Sequence, residues 1–164
     1  MLSTLIQESL NSQINAELNA SYSYLAMSSF CKSQNFHGFA AWLRAQSTEE
    51  YGHAMKLYDF VIARGGQVEL LELPAPRVEF GSVQQLFEEA LEQEISVSQR
   101  IDSLYELAFK EKAFAATVEL QWFIQEQVEE EHTFRAIVSK LNLIKNDPSA
   151  LLDLDRELGN RQTA

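Results

Sequence analysis

The sequence predicts an all-α protein: a four-helix bundle with a long crossover between its second and third helices and a short fifth helix at the C-terminal end. Three observations carry this. Apolar residues recur at three-to-four spacing through four long stretches, the pattern of amphipathic helices. Only six glycines and three prolines occur, and the prolines all fall near breaks in that pattern. The break between the second and third stretches is too long for a tight antiparallel turn, so it can carry the chain back along the bundle. With 164 residues, 46% of them hydrophobic, the chain is read as one domain, residues 1–164, with a comfortably sized core.

The first stretch runs from about Ser3 to Ser33. Asn35-Phe36-His37-Gly38 is a short break, so the next helix should lie antiparallel to the first. The second stretch runs from about Phe39 to Arg64 and stops at Gly65-Gly66, which suit a helix C-terminus. Residues 67–81 hold Pro74, Pro76 and Gly81 and little helical pattern; they form the crossover. The third stretch opens on Ser82 as N-cap, with Gln85 three residues on, and runs to about Lys110. A brief break near Glu111–Ala113 leads to the fourth, which runs to about Leu143. Asn146-Asp147-Pro148 then resets the chain, with Asp147 as N-cap and Pro148 as first helical residue. The fifth helix, about 149–158, carries Leu151, Leu152, Leu154 and Leu158.

Several function classes drop out. No run approaches the roughly 18 apolar residues of a membrane span. MLSTLIQESLNSQINAEL has no basic region followed by an apolar one, so it does not read as a secretory signal. The lone cysteine, Cys31, forms no internal disulfide and rules out a CxxC metal module. A reducing compartment follows: the cytoplasm, or an organelle stroma if a transit peptide has been removed. A net charge of −11 repels nucleic acid and suits a protein that collects cations.

One spacing occurs twice. Glu17, Glu50 and His53 are separated by 33 and 3 residues, and Glu94, Gln127 and Glu130 repeat this after a shift of 77. Each set puts one carboxylate on one helix and an i, i+3 pair on the next, the pattern of a dimetal carboxylate site in a bundle. The same shift maps Ile6 to Val83, Leu10 to Phe87, Ile14 to Leu91 and Leu18 to Ile95, so two helical hairpins are related.

Helical phase turns these residues inward. Phe39, Leu43, Ala54, Leu57 and Val61 fall within roughly 40° of Glu50, and His53 lies about 60° away. Val83, Phe87, Ala90, Ile101 and Tyr105 straddle Glu94. Ile6, Leu10 and Ile14 lead up to Glu17, and Leu25 is expected on the same side. On the fourth helix Gln127 is central, but Glu130 and Glu131 flank the face equally; only the 77-residue shift favours Glu130. His132 falls about 140° away and is expected to be exposed.

Most of the 24 acidic residues are solvated surface. That bland account fails for Glu17, Glu50 and Glu94, because an ionised carboxylate in an apolar core costs several kcal/mol unless compensated. No basic residue falls on these inner faces, so metal ions are the remaining compensation. Four carboxylates with one imidazole balance two divalent ions and suit iron or manganese rather than a soft metal.

These residues closely resemble the non-haem bacterial-type ferritins over the whole chain. The resemblance rests on Glu17, Tyr24, the run Glu49-Glu50-Tyr51-Gly52-His53, Glu94, and Trp122 through Glu130 in WFIQEQVEE. It implies that Glu17, Glu50 and His53 hold a first iron, with Glu50 as bridge. Glu94 and Glu130 would hold a second, with Gln127 close by. Glu49, Glu126 and Glu129, with Glu130, would form a third, weaker site. Tyr24 resembles an electron donor beside the pair; a core tyrosine bonded to a ligand glutamate is the plainer role, and both can hold. Trp122 resembles a tryptophan near the site, with packing as its main expected role. Bacterioferritins are similar but carry a second ExxH, where this chain has Gln127-x-x-Glu130, and a haem-ligating methionine, where it has Tyr51, so no haem is expected. Mini-ferritins share a site between subunits, whereas this set is complete in one chain.

The resemblance implies an iron-storage protein with ferroxidase activity. It would bind Fe(II), oxidise it with O2 and store Fe(III) mineral in a 24-subunit homo-oligomeric cage. The alternative is an iron-sequestration protein with little catalytic oxidation. A dimetal oxygenase is disfavoured because the short chain leaves no obvious substrate pocket. The fifth helix's leucines are expected at subunit contacts.

Overall fold

The computed structural model describes residues 1–145 and 147–161; the Asn146 part of the expected reset lies outside them. The described residues form five helices: α1 (Thr4–Ser33), α2 (His37–Ala63), α3 (Val83–Lys110), α4 (Phe114–Ile144) and α5 (Pro148–Gly159). Ser3, Ser82 and Asp147 cap α1, α3 and α5, their side chains accepting backbone N–H bonds from the first turn.

Helices α1 and α2 form one antiparallel hairpin, α3 and α4 the other, with α1 and α3 in contact between them. Serines let α1 and α2 approach closely: the Ser47 hydroxyl donates to the Ser21 carbonyl (2.6 Å), and Ser28 to Ala40 (2.6 Å). The crossover climbs along α1, held by side-chain amides at i, i+4 and i+8. Gln7 Oε1 accepts from Gln67 N–H (3.0 Å). Asn11 bonds the Gln67 carbonyl (2.9 Å) and Glu69 N–H (3.1 Å). Asn15 bonds the Glu69 carbonyl (2.8 Å) and Leu71 N–H (2.8 Å). Four helical residues rise about 6 Å, close to the length of two extended residues, so the two chains keep step.

The core is split. One apolar cluster surrounds Tyr24, Phe39, Trp42, Phe87 and Phe134; the other surrounds Ile14, Leu57, Ile101, Leu120 and Phe123. A buried polar layer lies between them: Gln13, Glu17, Gln46, Glu50, His53, Glu94, Gln127 and Glu130. The split core therefore positions the site at mid-bundle.

Three expectations are corrected. Leu25 is exposed; at about 80° from Glu17 it lies off the inner face, which Tyr24 and Ser28 occupy instead. Helix α2 begins two residues early, at His37, although Phe36 offers no side-chain cap. Its cap comes from α5, where Asp155 accepts the Phe39 N–H (2.8 Å). The third concerns the α5 leucines. Leu154 and Leu158 are buried within this chain and only Leu152 is freely exposed, so α5 is not held chiefly by other subunits. The close seat needs glycine: a Cβ at Gly38 would overlap the Asp155 carbonyl, and one at Gly159 would lie 3.0 Å from Gly38 Cα.

Candidate metal centre

Glu17 from α1, Glu50 and His53 from α2, Glu94 from α3, and Gln127 and Glu130 from α4 meet in the polar layer. Among the described residues, metal-capable ligand atoms fall into three groups, each within 4.8 Å: Glu17, Glu50 and His53; Glu50, Glu94 and Glu130; and Glu49, His53, Glu126 and Glu130. Glu50 belongs to the first two, the position from which one carboxylate could reach two ions. Glu129 is exposed and joins none of them; Glu131 and His132 also lie outside.

The hydrogen bonds are consistent with ligands held for ions. Glu50 Oε2 lies 3.2 Å from His53 Nδ1. The Tyr24 hydroxyl donates to Glu94 Oε1, and Gln127 Nε2 donates to Glu94 Oε2 (3.2 Å). The Tyr24 ring is fully buried and stacks on Phe134 at 5.7 Å. Trp122 meets the His53 ring edge-on at 5.4 Å, while the Lys56 ammonium covers its face at 5.0 Å. Glu17 Oε2 is buried with no hydrogen-bond partner. An orphaned carboxylate oxygen among other carboxylates fits a site that takes a cation.

Electrostatics agree. Burial, then the Glu50 carboxylate, pushes Glu17 up to about 8. Burial, then Glu50 and Glu94, pushes Glu130 up to about 9. Burial also raises Glu50 and Glu94, the first further raised by Glu94, the second eased by bonds from Tyr24 and Gln127. Partial burial raises Glu126 as well. Burial and the Glu94 charge hold the Tyr24 phenol well above its usual range. Crowded carboxylates of this kind hold protons until divalent cations displace them.

Four participants went unseen in the sequence. Gln13 donates to Glu17 Oε1 (2.8 Å), and Gln46 donates to Glu50 Oε1 (2.8 Å) and Glu130 Oε2 (2.9 Å). Arg100 and Arg161 bond the far ends of these amides. Among the described residues no lysine or arginine pairs with Glu17, Glu50, Glu94 or Glu130, yet Arg100 and Arg161 stop one amide away, and Arg161 also pairs with Glu49. The signal was available: Gln13 and Gln46 repeat the 33-residue spacing, each four residues before its glutamate.

The ferritin-like domain family matches residues 7–144. A bacterial non-haem ferritin of Staphylococcus haemolyticus is 40% identical over 161 residues, spanning 98% of this chain and 97% of that protein. A Staphylococcus aureus counterpart is 37% identical over the same coverage. An open-pore ferritin of Archaeoglobus fulgidus superposes with a TM-score of 0.98 at 47% identity, covering 99% of this chain and all of the other. With this buried site in this bundle, the chain belongs to the ferritin family, as a non-haem ferritin of the bacterial type.

Proposed function

We infer that this iron-storage protein is a ferroxidase whose substrate, Fe(II), is bound in pairs at the mid-bundle site. The observation that carries the reading is the shared Glu50. It stands in two adjoining donor groups, so two ions can lie side by side with one carboxylate between them. Glu17 and His53 complete the first ion's protein ligands, and Glu94 and Glu130 the second's. Each Fe(II) gives up one electron to O2, and one loaded pair gives two. Bound cations release the protons held by the raised carboxyls, so loading neutralises the buried charge without leaving an excess.

Around the pair, Gln127 and Tyr24 hold Glu94 still by donating to both its oxygens. Tyr24 is buried against the second site, so its phenol can pass an electron or a proton to the reacting pair. A third iron would use Glu49 and Glu126 with His53 or Glu130, leaving Glu129 to collect ions at the rim. Haem plays no part in this reading. Oxidised iron passes to mineral inside a 24-subunit cage in the cytoplasm. Anaerobic Fe(II) titration followed by an O2 pulse, watched by absorbance, is the test. Saturation at two tight Fe(II) per chain and oxidation within seconds are expected. Binding without rapid oxidation would favour sequestration instead.

A further inference from the structure

The amides of Gln13 and Gln46 are built alike. Each precedes a site glutamate by one helical turn, at i−4, and each is almost fully buried. Gln46 is saturated. Its two N–H bonds go to Glu50 Oε1 (2.8 Å) and Glu130 Oε2 (2.9 Å), and its oxygen accepts from Arg161 Nη1 (2.9 Å). Gln13 donates to Glu17 Oε1 (2.8 Å) and accepts from Arg100 Nε (3.3 Å). The guanidinium fixes which end of the amide faces inward: reversed, an oxygen would face two carboxylates and an NH2 group would face a cation. Both arginines are anchored independently. Arg161 stacks over Trp42 at 4.5 Å, bonds its carbonyl (3.3 Å) and pairs with Glu49. Arg100 holds the Ser12 carbonyl (3.2 Å) and hydroxyl (3.0 Å).

We propose that Arg161–Gln46 and Arg100–Gln13 are two positioning relays, in which a remote arginine orients a buried amide and the amide holds the site carboxylates in metal-binding geometry. The proposal rests on the paired-ion reading of this site. Gln46 spans both ions' ligands, since one nitrogen holds the bridging Glu50 and Glu130 together. Gln13 engages only one oxygen of Glu17 and leaves Oε2 free to ligate. The arginines lend orientation from outside the paired site, while Arg161 also pairs with Glu49 of the third donor group. Arg161 follows α5, so docking of the C-terminal helix reaches the site through Gln46.

Anaerobic Co(II) titration tests this. Co(II) has the charge of Fe(II), and its visible absorption reports its ligand set. The wild-type arm tests the site: absence of tight Co(II) binding would overturn the paired-ion reading and the relays with it. The variant arms test the relays alone. Gln46→Met keeps the shape and loses both donors; a loss of about 10-fold or more in Co(II) affinity with an altered spectrum is expected. Arg161→Ala, at the surface, should weaken binding several-fold with unchanged assembly. In a double-mutant cycle the Gln46→Met/Arg161→Ala chain should bind within about two-fold of Gln46→Met alone. Independent, additive losses would show that Arg161 acts by another route and overturn the relay. Wild-type affinity and spectrum in Gln46→Met would also overturn it. Should Gln46→Met not fold, Gln13→Met with Arg100→Ala runs the same cycle on the second relay.

Discussion

Glu50 stands in two donor groups, so on the paired-ion proposal its loss would disturb two coordination spheres at once. Glu50→Ala should slow rapid Fe(II) oxidation by at least about 100-fold, beyond what loss of an outer partner costs. Its helices should still pack, because removing one of several crowded buried carboxyls relieves charge. Stopped-flow traces at the wild-type rate would remove Glu50 from the mechanism. Tyr24→Phe isolates the phenol. The stacked ring stays and the bond to Glu94 goes, so Fe(II) binding should hold while the oxidation rate or the reduced oxygen product changes. Unchanged kinetics and product would leave Tyr24 as packing. The raised carboxyls make a third prediction. The folded, metal-free chain keeps protons on Glu17 up to about 8 and on Glu130 up to about 9, whereas the unfolded chain loses them near 4.5. The native state therefore binds more protons in this window, and metal-free stability falls as pH rises from about 4.5 to 9. Melting of the metal-free protein across this range checks it; stability that rises with pH would contradict it. These charged residues were legible in the sequence because a carboxylate on an apolar face demands a reason. Phase left Glu130 and Glu131 equal; the 77-residue repeat favoured Glu130, and packing buries Glu130 in the polar layer. Gln13 and Gln46 were not legible: a neutral amide in a core raises no comparable demand until its partners are seen.

Helix boundaries show what local sequence does and does not contain. Ser82 and Asp147 cap their own helices, so α3 and α5 begin where the sequence places them. The start of α2 depends on Asp155, more than a hundred residues away in the chain, and no local pattern announces it. The crossover's existence followed from its prolines and length. Its route did not, because Asn11 and Asn15 read as ordinary polar residues of α1. The turns offer a test at this scale. Asn35, Gly65 and Lys112 each take positive φ just after a helix, and in each the next N–H reaches back to the helix's last turn: Phe36 to Cys31 (2.9 Å), Gly66 to Val61 (2.9 Å), Ala113 to Ala108 (2.8 Å). Glycine and asparagine suit that conformation; lysine at φ 55° does not. Lys112→Gly should therefore stabilise the α3–α4 turn by roughly 1 kcal/mol and raise the melting temperature by a few degrees. A lower melting temperature would mean that the Lys112 side chain contributes more than its backbone costs.

Across the whole molecule, the apolar surface left uncovered decides the state of assembly. Helix α5 does not require a neighbour, since Leu154 and Leu158 are buried in this chain. The demand comes from elsewhere. Tyr22 and Leu25 on α1 are exposed, as are Leu70, Leu71 and Val78 in the crossover that runs beside α1. Large side chains gathered on one side of a bundle mark an association face. A second set, Ile62, Phe109, Phe114 and Val118, is exposed near the turn between α3 and α4 and the end of α2. Two separate faces allow each chain to meet more than one neighbour, which a closed assembly with several symmetry axes requires. Each subunit brings a net charge of −11, so association works against repulsion and should tighten with added salt. The expected state is a closed homo-oligomer, 24 subunits in the proposed cage. Leu25→Glu with Leu71→Glu would add charge to the first face without touching the site or the core. Light scattering should then show smaller particles, while the helical content and Fe(II) binding of each subunit persist. If the wild-type chain scatters as a monomer with full ferroxidase activity, the cage is refuted and only the chemistry of the bundle stands.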